Sequence, residues 1–104
     1  MDVNLVFMGV IADIAGTKKQ TVQFDQAPTL RGLLTELERQ YGEDFGVRIY
    51  RGAAEPRLLL KCTRIFINDI IVNDRELDQT LPTPADTAAP TEVLVYFLPA
   101  ACGG

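Results

Sequence analysis

The chain has 104 residues, 47% of them hydrophobic and 23% charged, with ten Lys+Arg against fourteen Asp+Glu for a formal charge of −4. That length supports one hydrophobic core, and the acidic balance argues against nucleic acid as the main partner. There is no His, Ser or Trp, which excludes a Ser-His-Asp or Cys-His site and a His-containing zinc site, while two Cys cannot supply four thiolates. The usual general base near neutral pH is missing too. No metal, no cofactor and no ordinary side-chain active site is expected.

The N-terminus starts Met1-Asp2 without a cationic region, and the apolar run Leu5 to Ala12 is too short for a membrane span. Together with only two cysteines, this predicts a cytoplasmic protein with no membrane contact. Val3 to Ala12 reads as a strand with Val3, Leu5 and Phe7 facing the core. Asp13 to Lys19 reads as a turn, and Thr21 to Phe24 as the returning strand of a hairpin.

Thr29 is an N-cap candidate, and Leu30, Leu33, Leu34, Leu37 and Tyr41 follow at helical spacing before a stop at Gly42. The segment 46–61 is ambiguous. Thr63 to Asn68 and Ile70 to Val72 read as a second antiparallel pair. Asn73-Asp74 turns the chain, and Leu77 and Leu81 can cover the core from a helical turn or loop. Pro82 to Pro90 holds three prolines and reads as a loop. Glu92 to Leu98 is the last strand, with Val93, Val95 and Phe97 on one face, and Pro99 stops it.

This order predicts an α+β protein of the β-grasp type: a mixed sheet of four to five strands covered by one main helix. The first and last strands would lie parallel at its centre, which accounts for their apolar character. A single domain over 1–98 and a flexible tail over 99–104 are expected.

The tail ends Cys102-Gly103-Gly104. Two glycines without Cβ form a strip of backbone thin enough for a narrow slot. The bland alternative is a frayed terminus. The sharper one makes the Gly104 carboxylate the reacting group, which adenylation would activate for a nucleophile.

The segment VLVYFLPAACGG, from Val93 to Gly104, resembles the end of the ubiquitin-like sulfur carriers, in particular the small subunit of molybdopterin synthase and its relatives. RIFINDIIVND from Arg64, PTLRGLLTELERQYG and VNLVFMGVIADIAG resemble the family's strand-turn-strand piece, helix, and first strand and turn. The resemblance implies a co-substrate, not an enzyme. An E1-like enzyme would adenylate Gly104, a sulfur donor would convert it to a thiocarboxylate, and sulfur would pass on in molybdopterin biosynthesis or a related pathway. A large synthase subunit or a sulfur-acceptor enzyme would be the further partner. A ubiquitin-like modifier forming isopeptide bonds, and a non-catalytic β-grasp binding module, remain as alternatives. Family members often carry a second proline where Ala100 stands, and Cys102 is not their usual residue.

Alternation turns Val6, Met8, Leu94, Tyr96 and Leu98 away from the core, and Ile71 joins them on the open face. Such a patch marks a partner surface, the alternatives being a self-dimer contact or ordinary scattered surface hydrophobes. The resemblance points the same way and implies that Met8, Ile71, Tyr96, Leu98, Pro99 and Cys102 meet partners. Cys62 reads as a structural residue. Cys102 reads as a tolerated tail residue. Its functional alternatives are a mixed disulfide, a trap for an activated intermediate, or dimerisation on oxidation. Arg48, Arg51, Arg57, Lys61 and Arg64 stand together against Glu55. This reads as a solvated face or as steering toward an acidic partner.

Overall fold

The computed structural model describes residues 1–52, 57–83 and 90–97. Seven strands and three helices appear among them: β1 (Asp2–Met8), α1 (Val10–Ala15), β2 (Lys19–Gln23), α2 (Leu30–Tyr41), α3 (Glu43–Ile49), β3 (Tyr50–Arg51), β4 (Leu58–Leu59), β5 (Thr63–Ile67), β6 (Ile70–Val72) and β7 (Thr91–Phe97). A 3-10 turn spans Asp74–Glu76. Five strands form one mixed sheet in the order β2-β1-β7-β5-β6, and β3 pairs with β4 in a small ribbon. β1 and β7 run parallel at the centre, with Val3 opposite Thr91 and Met8 opposite Tyr96. All other pairings are antiparallel. This is the expected β-grasp layout.

The covering helix has the predicted bounds. Thr29 Oγ1 accepts the Gly32 backbone N–H at 3.0 Å and caps α2. The Gly42 N–H, donated to the Glu38 carbonyl, closes its last turn. Leu30, Leu33, Leu34 and Leu37 are fully buried and meet Val3, Leu5, Phe7, Ile65, Val93 and Val95 from the sheet. Each such side chain contributes roughly 1.5–3 kcal/mol of hydrophobic stabilisation. Leu77 and Leu81 are buried in the same core, as expected of the segment after β6.

The first hairpin differs from the sequence reading. The run ending at Ala12 is not one strand: β1 stops at Met8, and Val10–Ala15 is helical. Gly9 supplies the break, at φ 62 and ψ −138, a region that side chains with a Cβ avoid. The six residues that follow coil so that Ile11 drops into the core. β2 accordingly ends at Gln23, and Phe24 beyond it donates its N–H to the Met1 carbonyl while its own carbonyl accepts the Met1 ammonium at 2.7 Å.

The ambiguous segment resolves into α3 and the β3–β4 ribbon. Phe45 and Ile49 of α3 are fully buried, and the Phe45 ring meets Phe7 edge-on at 6.4 Å. Glu38 of α2 receives a two-pronged ion pair from Arg57 at 2.8 and 3.1 Å, and the Arg57 guanidinium lies 4.2 Å from the Tyr50 ring centre. Helix, ribbon and loop are thereby tied together on the covered side of the sheet.

Candidate sheet-face and tail-exit site

The helices cover one face of the sheet, leaving the other to be decided by side-chain alternation. Three cross-strand rows lie on that open face. Thr21, Asn4 and Glu92 form a polar row, continued by Asn68, whose Oδ1 accepts the Glu92 N–H at 2.9 Å. Lys19, Val6, Leu94, Phe66 and Ile71 form the second row, spanning all five strands. Met8, Tyr96 and Arg64 form the third. The middle row is apolar from Val6 to Ile71, and Ile71 and Met8 are 52% and 46% exposed. An apolar band crossing a whole sheet face is what a docking surface needs.

Of the residues expected on this face, Met8, Tyr96 and Ile71 are brought together with Val6 and Leu94. Phe66 belongs to the band and was not singled out from the sequence. Its signal was present: Ile65 faces the core, so its neighbour must face away, and the turn at Asn68-Asp69 sets Phe66 opposite Ile71. Both turn residues have positive φ, 49 and 70, which Asn and Asp tolerate better than other non-glycine residues. Leu98, Pro99, Cys102, Gly103 and Gly104 lie outside the described residues, as do Ala100 and Glu55.

β7 ends with Phe97 opposite Thr63, the first residue of β5. This end of the sheet, where the chain leaves the central strand, is basic. Arg64 stands in the third row, exposed Lys61 precedes it, and Arg48 of α3 is close because the Thr63 hydroxyl donates to the Arg48 carbonyl. Among the described residues, Arg48, Arg51, Lys61 and Arg64 make no ion pair, whereas Arg57 and Arg31 pair with Glu38 and Asp78. The basic cluster of the sequence is therefore divided. Arg57 serves the fold, and the other four present charge at the surface.

Cys62 is fully buried, as expected of a structural residue, and it is disulfide-bonded. It immediately precedes Thr63 and so borders the exit of β7. Burial pushes the Tyr50 and Tyr41 hydroxyls up from the ordinary tyrosine value, but neither lies on the open face. No group of three or more His, Cys, Asp or Glu able to hold a metal occurs among the described residues, and no helix there is long and apolar enough to cross a membrane.

No family model and no curated protein matches the chain. Solved structures do. SAMP1 from Haloferax volcanii superposes with a TM-score of 0.67 at 16% identity, covering 93% of this chain and 94% of that one. A chain from Pyrococcus furiosus, described as molybdopterin converting factor subunit 1, gives 0.67 at 17% identity over 94% and 98%. The small archaeal modifier protein 1 of Methanosarcina acetivorans gives 0.70 at 17% identity over 93% and 92%. The chain thus shares the ubiquitin-like β-grasp fold of these proteins across nearly its full length.

Proposed function

We propose that the chain is a cytoplasmic sulfur carrier whose reacting group is the Gly104 carboxylate. The observation that carries this reading is the placement of β7. The strand leading to Gly103-Gly104 lies at the centre of the sheet, and its open-face residues Leu94 and Tyr96 stand in the apolar rows with Met8, Phe66 and Ile71. A partner seated on those rows stands beside Phe97, the end of β7. The likeness to a molybdopterin converting factor subunit supports the same reading.

In this scheme an E1-like enzyme grips the apolar band. The Gly104 carboxylate attacks the α-phosphorus of ATP and expels pyrophosphate, and a sulfur donor then displaces AMP to leave a thiocarboxylate. The glycines supply no chemistry; lacking Cβ, they let the backbone enter a narrow channel. Arg48, Arg51, Lys61 and Arg64 steer an acidic partner surface toward the exit of β7, a contribution that weakens with salt. The sulfur-accepting partner, a large synthase subunit or another acceptor enzyme, uses the same face in turn. The carrier is consumed and regenerated as a co-substrate and catalyses nothing itself.

Intact-mass measurement tests this. The full chain incubated with its activating enzyme, ATP and a sulfur donor is expected to gain the mass of one oxygen-to-sulfur exchange at the last residue. An unchanged mass rejects it. The likeness to small archaeal modifier proteins favours a second reading, in which the same adenylate ends as an isopeptide bond to lysines of other proteins. Conjugate ladders in a lysate identify that outcome, and a thiocarboxylated pool identifies the first.

A further inference from the structure

We infer that the free edge of β6 pairs with β6 of a second copy of this chain, joining two five-stranded sheets into one. The pairing needs neither the tail nor an activating enzyme.

The two edges of the sheet are built differently. β2 forms one and β6 the other. An edge strand offers unpaired N–H and C=O groups to other chains, and charged side chains are the usual guard. β2 is guarded: Lys19 stands within it, Lys18 precedes it, and Gln20 is tied to α2 through Gln40 and Tyr41. β6 is the run Ile70-Ile71-Val72 and carries no charge. Ile70 and Ile71 are 69% and 52% exposed, two of the four large hydrophobics left in solvent among the described residues.

The bond pattern fixes which backbone groups of β6 point outward. The Asn68 N–H donates to the Glu92 carbonyl at 2.9 Å. Arg64 and Phe66 therefore turn their N–H and C=O toward β7, and Ile65 and Ile67 turn theirs toward β6. Ile65 and Ile67 stand opposite Val72 and Ile70. The backbone of Ile71 thus points away from the sheet, and among the described residues no loop or turn bonds to it. Further along, the Asn73 N–H and C=O are taken by the Glu76 carboxylate and N–H, at 2.8 and 2.9 Å. β6 offers one open donor–acceptor pair, at its midpoint, which suits a two-fold axis.

Antiparallel pairing about that axis makes two N–H···O=C bonds between the two Ile71 residues. It sets Ile70 against Val72 of the second copy, twice. Asp69 comes opposite Asn73 of the second copy, at the head of the turn that carries Arg75. In that turn Asp74 accepts the Leu59 N–H and Glu76 the Asn73 N–H. Neither Asp69 nor Arg75 makes an ion pair among the described residues, so the two-fold brings each toward an opposite charge. The apolar open-face row, which ends in Lys19 at β2, runs on through Ile71 into the second copy. Three residues a side bury less than a standard interface, so the dimer is reversible, with a Kd on the order of 0.1 mM.

The test uses the full chain in dithiothreitol, so that no intermolecular disulfide contributes. Sedimentation equilibrium from well below to well above that Kd is expected to show monomer and dimer. The amide shifts of Ile70, Ile71 and Val72 should move with concentration. Ile71→Pro removes an N–H that the sheet itself does not use and should weaken the dimer about tenfold or more. Asp69→Lys and Arg75→Glu should each weaken it, and mixing these two variants should restore association, because each supplies the charge the other lacks. Met8→Glu, on the open face three strands in from β6, should leave the dimer intact. Slow amide exchange at Ile65 and Ile67 checks that each variant is folded. A monomer at every concentration, a dimer that survives Ile71→Pro or is lost in folded Met8→Glu, or a mixture no tighter than its components would overturn the pairing.

Discussion

The ring of Tyr96 lies on the backbone of Gly9: a Cβ built there would stand 3.3 Å from Tyr96 Cε2. Gly9 ends β1, opens α1 and seats the last open-face residue of β7 among the described residues. Gly9→Ala must strain the backbone at φ +62 and crowd the ring at once. We expect a loss of about 1–3 kcal/mol in denaturant unfolding, with shifted Tyr96 ring resonances. An unchanged midpoint would remove Gly9 as the organiser of the tail exit.

Gly46 and Glu38 make a tighter contact. A Cβ on Gly46 would fall 1.7 Å from Glu38 Oε2 and 2.6 Å from its Cδ, and Glu38 is held in place by Arg57. Gly46→Ala therefore has to break that ion pair. Overpacking of this kind costs about 1–3 kcal/mol. Glu38→Ala alone should cost less, about 1 kcal/mol or below, because both side chains are 25% exposed. The double variant should be clearly more stable than the two losses added together, and strict additivity would contradict the contact.

Charge placed in the apolar band separates docking from folding. Phe66→Glu and Ile71→Glu put a carboxylate where the open face is apolar, and neither residue belongs to the buried core. Stability is expected to change by roughly 0.5 kcal/mol. If the proposed function holds, affinity for an E1-like activating enzyme should drop at least tenfold, about 1.4 kcal/mol. Thr21→Glu, in the polar row of the same face, serves as the control and should bind normally. Calorimetry reads all three.

Tyr50 predicts an alkaline limit to stability. Burial pushes its phenol above the ordinary value of 10.0. A group whose folded value is raised contributes its stabilisation fully below the unfolded value and loses it as pH rises through the folded one. Absorbance titration should show a tyrosinate fraction appearing above pH 10 that is missing in Tyr50→Phe. The thermal midpoint of the wild type should fall over the same range. A normally titrating Tyr50 would mean the ring is not desolvated in solution.

Legibility followed how local the determining physics is. The α2 helix could be read because cap, stop and spacing all agree within fourteen residues, from Thr29 to Gly42. The central placement of β1 and β7 could be read because both strands are rich in large apolar residues, with Val3, Leu5 and Phe7 and then Val93 and Val95 alternating into the core. α1 was hidden because Val10, Ile11 and Ile14 suit a strand by composition, and only the backbone at Gly9 redirects them. α3 was hidden because Gly46, a poor helix former, sits in its middle where Glu38 demands it. Phe66 was within reach of the alternation argument. Cys62 was not: nothing local reveals that it borders the end of β7, which follows only from the β5–β7 register.

The β1–β7 pairing also bears on how the molecule is born. A ribosome delivers β1 first, but the strand that bonds it to β5 is made after all the others. A nascent chain halted before Thr91 has two half-sheets and a hole between them. The five-stranded sheet thus closes only once its centre has been made.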